Sequence, residues 1–278
     1  MMPSDLVKGA ATDDAANGQD QPTSSPASSP QIRAITFDLD DTLWSCTPII
    51  VSALSALREF LTSRYPSITQ TYTLEAMRAV EKRVKGERPA LVHDMTASKR
   101  AMLRECAIGA GYEHQCDQIA DEAIEVFLAH RNAVEHHLFE GCTDLLHRCQ
   151  ALGLRIGTVT NGNADPERIP FLQPFVSVHV CAAHVNASKP SPLPFLRACE
   201  LLECHPSQVL HVGDSIENDV VPARQVGMRT VYIPYPRDSG SGDGVKNGDG
   251  SGQQCAPDYV FGTLTSFCEG LQGIVQGA

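Results

Sequence analysis

The chain predicts an alternating α/β fold: an open parallel sheet of the Rossmann-like kind, with a helical domain inserted after its first strand. Short β-rich runs recur at 32–37, 154–160, 176–180, 208–212 and 230–233. Helical stretches separate most of them, and 47–136 holds no strand pattern at all. Strand and helix in alternation imply a parallel sheet covered by helices on its faces. A helical block lodged behind the first strand forms a second, smaller domain around which the sheet must close.

Taken in order, residues 1–30 are rich in Ser, Pro, Asp and Ala with little to bury, which predicts a disordered tail. The sheet domain comprises 31–45 and 138–278, and the helical domain 46–137. Within the latter, "PIIVSALSALREFLTSRY", "TLEAMRAVEKRVKG", "HDMTASKRAMLRECAIGAG" and "DQIADEAIEVFLAHRN" carry apolar positions at helical spacing. In the sheet domain, "GCTDLLHRCQALG", "PLPFLRACELLE" and "ENDVVPARQVG" read as helices between strands. A Gly/Ser-rich stretch at 237–254 predicts a flexible insertion between two strands.

Composition narrows the function. With 278 residues and 42% hydrophobic content, the chain can bury a substantial core. Its net charge of −11 argues against nucleic-acid or anionic-membrane partners, which leave a basic footprint. No apolar run approaches the ~18 residues of a membrane span, and the acidic start resembles neither a secretory signal nor a transit peptide. A cytoplasmic location is expected. The ten cysteines contain no CxxC pair, which predicts buried free thiols, and the histidines of "HVCAAH" fit no zinc signature.

"AITFDLDDTLW" sets an apolar run against Asp38, Asp40 and Asp41. Functional groups of open parallel sheets gather at the carboxyl ends of strands, where Asp38 is expected and where Asp40 can face the same cleft. Asp41 is read as shaping the turn. Clustered carboxylates repel one another unless a cation or shared proton relieves them, and Mg²⁺ is the hard, oxygen-preferring ion for that role. Other strand ends add Thr160, Asn161 and Gly162 of "TNG", Lys189 before Pro190, and Asp214 and Asp219 of "GDSIEND".

In this order the four elements resemble the motifs of the haloacid dehalogenase (HAD) superfamily, over nearly all of 32–272, with the helical domain similar to that family's small helical cap. The resemblance implies a HAD-like core and a phosphatase acting on a small-molecule phosphate ester. Asp38 would be the nucleophile that forms an aspartyl-phosphate, and Asp40 would protonate the leaving alcohol and then deprotonate water. Asp38, the main-chain carbonyl of Asp40, and Asp214 would hold Mg²⁺, with Asp219 supporting that shell or ligating through water. Thr160, the amides near Asn161 and Gly162, and Lys189 would bind the phosphoryl oxygens.

Dehalogenating relatives need no such proton donor and lack an aspartate at the place of Asp40, so Asp40 points to phosphate chemistry. A phosphomutase, a phosphoprotein phosphatase and a catalytically idle metabolite-binding module are the alternatives. Pro222 stands where relatives usually have glycine, with a kinked helix as the expected result. In the cap, His93, Thr96 and Arg100 are expected on one helical face lining the cleft. Trp44 either offers an aromatic face to substrate or packs between cap and core. "TLWSCTPII", "HDMT" and "TNGNADPE" are similar to phosphatases acting on FMN and on 5-amino-6-(5-phospho-D-ribitylamino)uracil.

Overall fold

The computed structural model describes residues 31–235 and 256–276. The predicted tail at 1–30 and the insertion at 237–254 lie outside the described residues. Six parallel strands, β1 (Ala34–Phe37), β2 (Arg155–Thr160), β3 (Val176–Cys181), β4 (Val209–Gly213), β5 (Arg229–Tyr232) and β6 (Tyr259–Val260), form one sheet in the order β3-β2-β1-β4-β5-β6. The strands predicted from sequence fall within two residues of these bounds.

The sheet order explains why β1 is apolar throughout. It is the first strand in sequence and sits centrally, hydrogen-bonded to β2 on one side and β4 on the other, with all four residues buried. A strand covered on both faces has no solvent side on which to place polar residues. The chain moves outward from β1 to β2 and β3, then returns to β4 on its other side. That reversal opens a crevice at the carboxyl ends of β1 and β4.

Between β1 and β2 lie α1 (Cys46–Arg64), α2 (Pro66–Thr71), α3 (Leu74–Glu87), α4 (Met95–Gly109) and α5 (Cys116–Arg131), followed by α6 (Cys142–Ala151). The first five pack around their own core, which includes Leu57, Leu61, Met102 and Phe127. Thr73 caps α3 by accepting from the Ala76 amide, and Asp94 caps α4 by accepting from the Ala97 amide at 2.8 Å. The cap at Asp94 corrects one expectation: His93 lies before α4, so it does not share a helical face with Thr96 and Arg100.

The remaining helices, α7 (Ala182–Val185), α8 (Leu193–Leu201), α9 (Val221–Gln225) and α10 (Leu264–Gln276), complete the two covering layers. One face of the sheet packs Ile35 and Phe37 with Leu145 and Leu146 of α6 and Phe267 and Leu271 of α10. The other packs Ala34 and Val159 with Phe195 and Ala198 of α8 and Ala223 of α9. Alternate residues of β1 thus serve opposite faces, as the strand period requires. Pro222 does not kink a long helix. A π-helical turn at Ile216–Val220 precedes α9, and Pro222 occupies the first turn of α9, where its missing N–H costs nothing.

Every described cysteine is a free thiol, and no described helix is long and apolar enough to cross a membrane. Gly141 precedes α6 with φ +82°, and a Cβ there would stand 2.8 Å from the backbone nitrogen of Thr265. Both the left-handed backbone and the close approach of α10 require glycine. Gly141→Ala is therefore expected to destabilise the fold by about 1–3 kcal/mol, measured by urea denaturation. An unchanged midpoint would show that α10 yields without cost.

Candidate active site

The crevice beside β1 gathers charge from several strand ends. Asp38 follows β1 directly, its amide donating to the Val212 carbonyl of β4 at 2.9 Å. Lys189, carried by the loop before α8, inserts its ammonium between Asp38 and Asp219, with both N–O distances 2.6 Å. Its third donor goes to the Val159 carbonyl of β2 at 3.0 Å, so all three ammonium hydrogens are on protein acceptors. Asn161 fixes the lysine backbone: Oδ1 accepts from the Lys189 amide at 2.7 Å, and Nδ2 donates to its carbonyl at 3.0 Å. The Asn161 side chain is thus spent on Lys189, and Thr160 Oγ1 accepts from the Gly162 amide at 3.0 Å.

Asp219 is anchored further by the Ser215 amide on Oδ2 and by His211 Nε2, 3.3 Å from Oδ1. His211 Nδ1 lies 2.9 Å from Thr36 Oγ1, and the ring stacks edge-on against Phe195. Burial holds the imidazole below its ordinary pKa, opposed by Asp219. Asp38, Asp214 and Asp219 each direct a carboxylate oxygen into one cluster, all within 4.8 Å of one another. The Thr42 hydroxyl stands 3.3 Å from Asp38 and 3.5 Å from Asp214.

Three carboxylates around one ammonium leave negative charge in excess. Burial pushes the Asp38 carboxyl up to about 8; the Lys189 ammonium opposes this, and the charges of Asp219 and Asp214 add to it. Asp214 is raised to about 6 by burial first and then by Asp219 and Asp41. Asp219 resists its own burial because Lys189 and His211 hold it down, to about 2. A donor set of hard oxygens with surplus negative charge fits Mg²⁺. Lys189, Ser215 and His211 already occupy Asp219, which leaves Asp38 and Asp214 as the side chains better placed to ligate.

Asp40 is held separately. Trp44 Nε1 donates to Oδ1 at 3.0 Å, and Arg131 Nη2, at the end of α5, donates to Oδ2 at 2.5 Å. Gly162 passes against this pair; a Cβ there would stand 2.6 Å from Asp40 Oδ2 and 3.1 Å from Arg131 Nη2. Arg131 is 1% exposed and also donates through Nε to Asn163 Oδ1 at 3.3 Å. Its Nη1 is the one buried side-chain polar atom among the described residues without a hydrogen-bond partner. Asp41, with φ +62°, shapes the turn as expected and accepts from the Cys46 amide at 2.8 Å.

Of the two readings of Trp44, the inward one holds: it is fully buried, so its ring offers no face to a ligand, and its indole N–H donates to Asp40. One expectation about substrate contacts is overturned. Arg100 pairs at the surface with Asp121 and Asp117, whose side chains are 60% exposed, and does not face the crevice. His93 and Thr96 do reach the sheet domain, through Ser188 Oγ at 2.8 Å and Asn163 Nδ2 at 3.1 Å respectively. The sequence reading did not single out Arg131, His211, Thr42 or Asn163. A basic residue in a last helical turn and a histidine within a strand carry no local signal of such a role.

A family model for haloacid dehalogenase-like hydrolases matches residues 32–227. The chain belongs to this family. The haloacid dehalogenase-like chain is 28% identical over 204 residues to 5-amino-6-(5-phospho-D-ribitylamino)uracil phosphatase YigB of Escherichia coli (strain K12), covering 73% of this chain and 84% of that protein. It is 26% identical to phosphoglycolate phosphatase of Thiobacillus denitrificans, with 73% and 84% coverage. The crystal structure of 2-haloacid dehalogenase from Pseudomonas syringae pv. Tomato DC3000 matches with a TM-score of 0.74 at 32% identity, covering 87% of this chain and 98% of that one.

The raised Asp214 carboxyl has a consequence for stability. Its folded value of about 6 lies above the usual 3.8, so ionised Asp214 subtracts from stability above pH 6, and the penalty fades as pH falls toward 3.8. Asp214→Asn is expected to stabilise the metal-free protein by about 1 kcal/mol near neutral pH, with a smaller gain near pH 4. Thermal unfolding in EDTA at both pH values measures this; an unchanged or lowered Tm at neutral pH would contradict the charge excess.

Proposed function

We propose that this haloacid dehalogenase-like hydrolase is a Mg²⁺-dependent phosphatase acting on a small phosphomonoester through an aspartyl-phosphate. One observation carries the reading: two aspartates, two positions apart at the end of the central strand, are held in different ways. Asp38 is buried against Lys189, whereas Asp40 is steadied by Trp44 and Arg131 with its side chain 21% exposed. That division suits a nucleophile and a proton carrier. A dehalogenase has no use for the second, since halide leaves without a proton. The phosphatase names of the relatives from Escherichia coli and Thiobacillus denitrificans support the same choice.

In the first step an Asp38 oxygen attacks phosphorus, the ester P–O bond breaks, and protonated Asp40 gives its proton to the departing alkoxide. Asp40, now ionised, takes a proton from water, whose oxygen attacks phosphorus. The bond to Asp38 then breaks, releasing inorganic phosphate and restoring the Asp38 carboxylate. Lys189 fixes and charge-balances Asp38 in the position for attack. In this reading Thr160 and the main-chain amides near Asn161 and Gly162 would supply donors to the equatorial phosphoryl oxygens. Mg²⁺, held by Asp38, Asp214 and the main-chain carbonyl of Asp40 with Asp219 behind them, would supply charge neutralisation for the phosphoryl group.

The helical insert at 46–137 acts in this reading as a cap. It contributes Arg131, His93 and Thr96 to the crevice and excludes water from it. The test is phosphate release from a panel of phosphomonoesters, including FMN and sugar phosphates, with Mg²⁺ or EDTA. Release should require the metal and fall by at least about 10³-fold in Asp38→Asn, a loss on the scale of removing a covalent nucleophile. Metal-independent release, or release retained by Asp38→Asn, would overturn the mechanism.

A further inference from the structure

The buried guanidinium of Arg131 has a donor to spare. Its side chain is 1% exposed, Nη2 donates to Asp40 Oδ2 and Nε to Asn163 Oδ1, yet Nη1 meets no hydrogen-bond partner among the described residues. A buried donor without an acceptor is costly, and in a native protein it marks a place where a ligand, an ion or a water belongs. Because Nη1 and Nη2 share one carbon, the unused donor lies beside the Asp40 carboxylate. We propose that Arg131 is a catalytic residue whose Nη1 donates to an equatorial oxygen of the transferring phosphoryl group, while Nη2 keeps its hold on Asp40. The inference rests on the phosphatase reading and deepens it by adding a phosphoryl contact from the helical insert.

Lys189 and Arg131 are the two lysine or arginine side chains buried among the described residues. Lys189 has no donor left for an incoming phosphoryl group, since its three ammonium hydrogens lie on Asp38, Asp219 and the Val159 carbonyl. The side-chain amide of Asn161 is likewise spent on the Lys189 backbone. Arg131 is the buried cation that still has a donor to offer. Its place suits the role. A Cβ on Gly162 would stand 2.6 Å from Asp40 Oδ2, 3.1 Å from Arg131 Nη2 and 3.3 Å from Thr160 Oγ1. Guanidinium, proposed proton carrier and the loop proposed to bind phosphoryl oxygens therefore converge on one residue. Asp40 and Asn163 fix the guanidinium plane at two nitrogens, which orients Nη1 before substrate arrives. As the bond from Asp38 to phosphorus forms and the ester bond breaks, negative charge spreads over the equatorial oxygens, where a fixed cationic donor stabilises it.

The test separates contact with phosphate from service to Asp40. p-Nitrophenolate departs without a proton whereas methoxide needs one, so a residue acting only through Asp40 matters for methyl phosphate alone. Arg131→Lys keeps a cation near Asp40 but loses the second donor of the fork. With Mg²⁺, its kcat/KM should fall by about 10²-fold for p-nitrophenyl phosphate and methyl phosphate alike, the scale of one lost transition-state donor. Asp40→Asn should instead cost methyl phosphate at least about 10-fold more than p-nitrophenyl phosphate. A crystal structure of the wild-type protein with Mg²⁺ and orthovanadate should place a vanadate oxygen within about 3.2 Å of Nη1, and it decides the question if the variant fails to fold. A loss in Arg131→Lys confined to methyl phosphate, no loss for either ester, or a water on Nη1 in place of the vanadate oxygen would each overturn the assignment and leave the phosphatase standing. No release from either ester by the wild-type protein would overturn both readings.

Discussion

The Lys189 ammonium, buried between Asp38 and Asp219, is the contact around which the rest is arranged. Neither carboxylate could be kept ionised at such depth alone, since desolvation of an isolated charge far exceeds what nearby packing returns. The lysine opposes this cost at both carboxylates and, with His211, outweighs it at Asp219. Asn161 grips its backbone from both sides, and Val159 takes its remaining proton. The parallel sheet supplies the frame, because strand ends from β1, β2 and β4 meet only where the strand order reverses.

Around that ion cluster the molecule leaves charge unbalanced on purpose-built terms. Three carboxylates face one ammonium, and burial raises Asp38 and Asp214 while Lys189 protects Asp219. Such a site is poor as a structural device and well suited to a hard divalent cation. Stability lost at the crevice is offset by the cores on both sheet faces and by the separate core of the helical insert.

Asp40 shows how the insert takes part in the proposed chemistry beyond covering it. Its two oxygens are held by groups on opposite sides of the insertion, Trp44 just before α1 and Arg131 at the end of α5. Arg131 in turn touches Asn163, which reaches Thr96 at the start of α4. Helical insert and sheet are therefore joined at the residue proposed to carry the proton.

Local pattern was enough to read the strands, the helical insert and the four charged motifs. Apolar runs, helical spacing and strand-end carboxylates are properties of neighbouring residues, and they placed Asp38, Asp40, Lys189, Asp214 and Asp219 in one crevice. The cap contacts were not legible in the same way. "HDMT" was read as one helical stripe, but Asp94 caps the start of α4 and leaves His93 outside it; Arg100 found partners on α5, and Trp44 turned inward to Asp40. The sequence by itself determined the parallel sheet and the carboxylates and lysine at its carboxyl edge, because periodicity and residue type suffice for both. Only the tertiary structure decided that Arg131, 91 residues from Asp40, would be its partner. Such a pairing depends on how α5 packs against the loop after β1, and no local pattern encodes that distance.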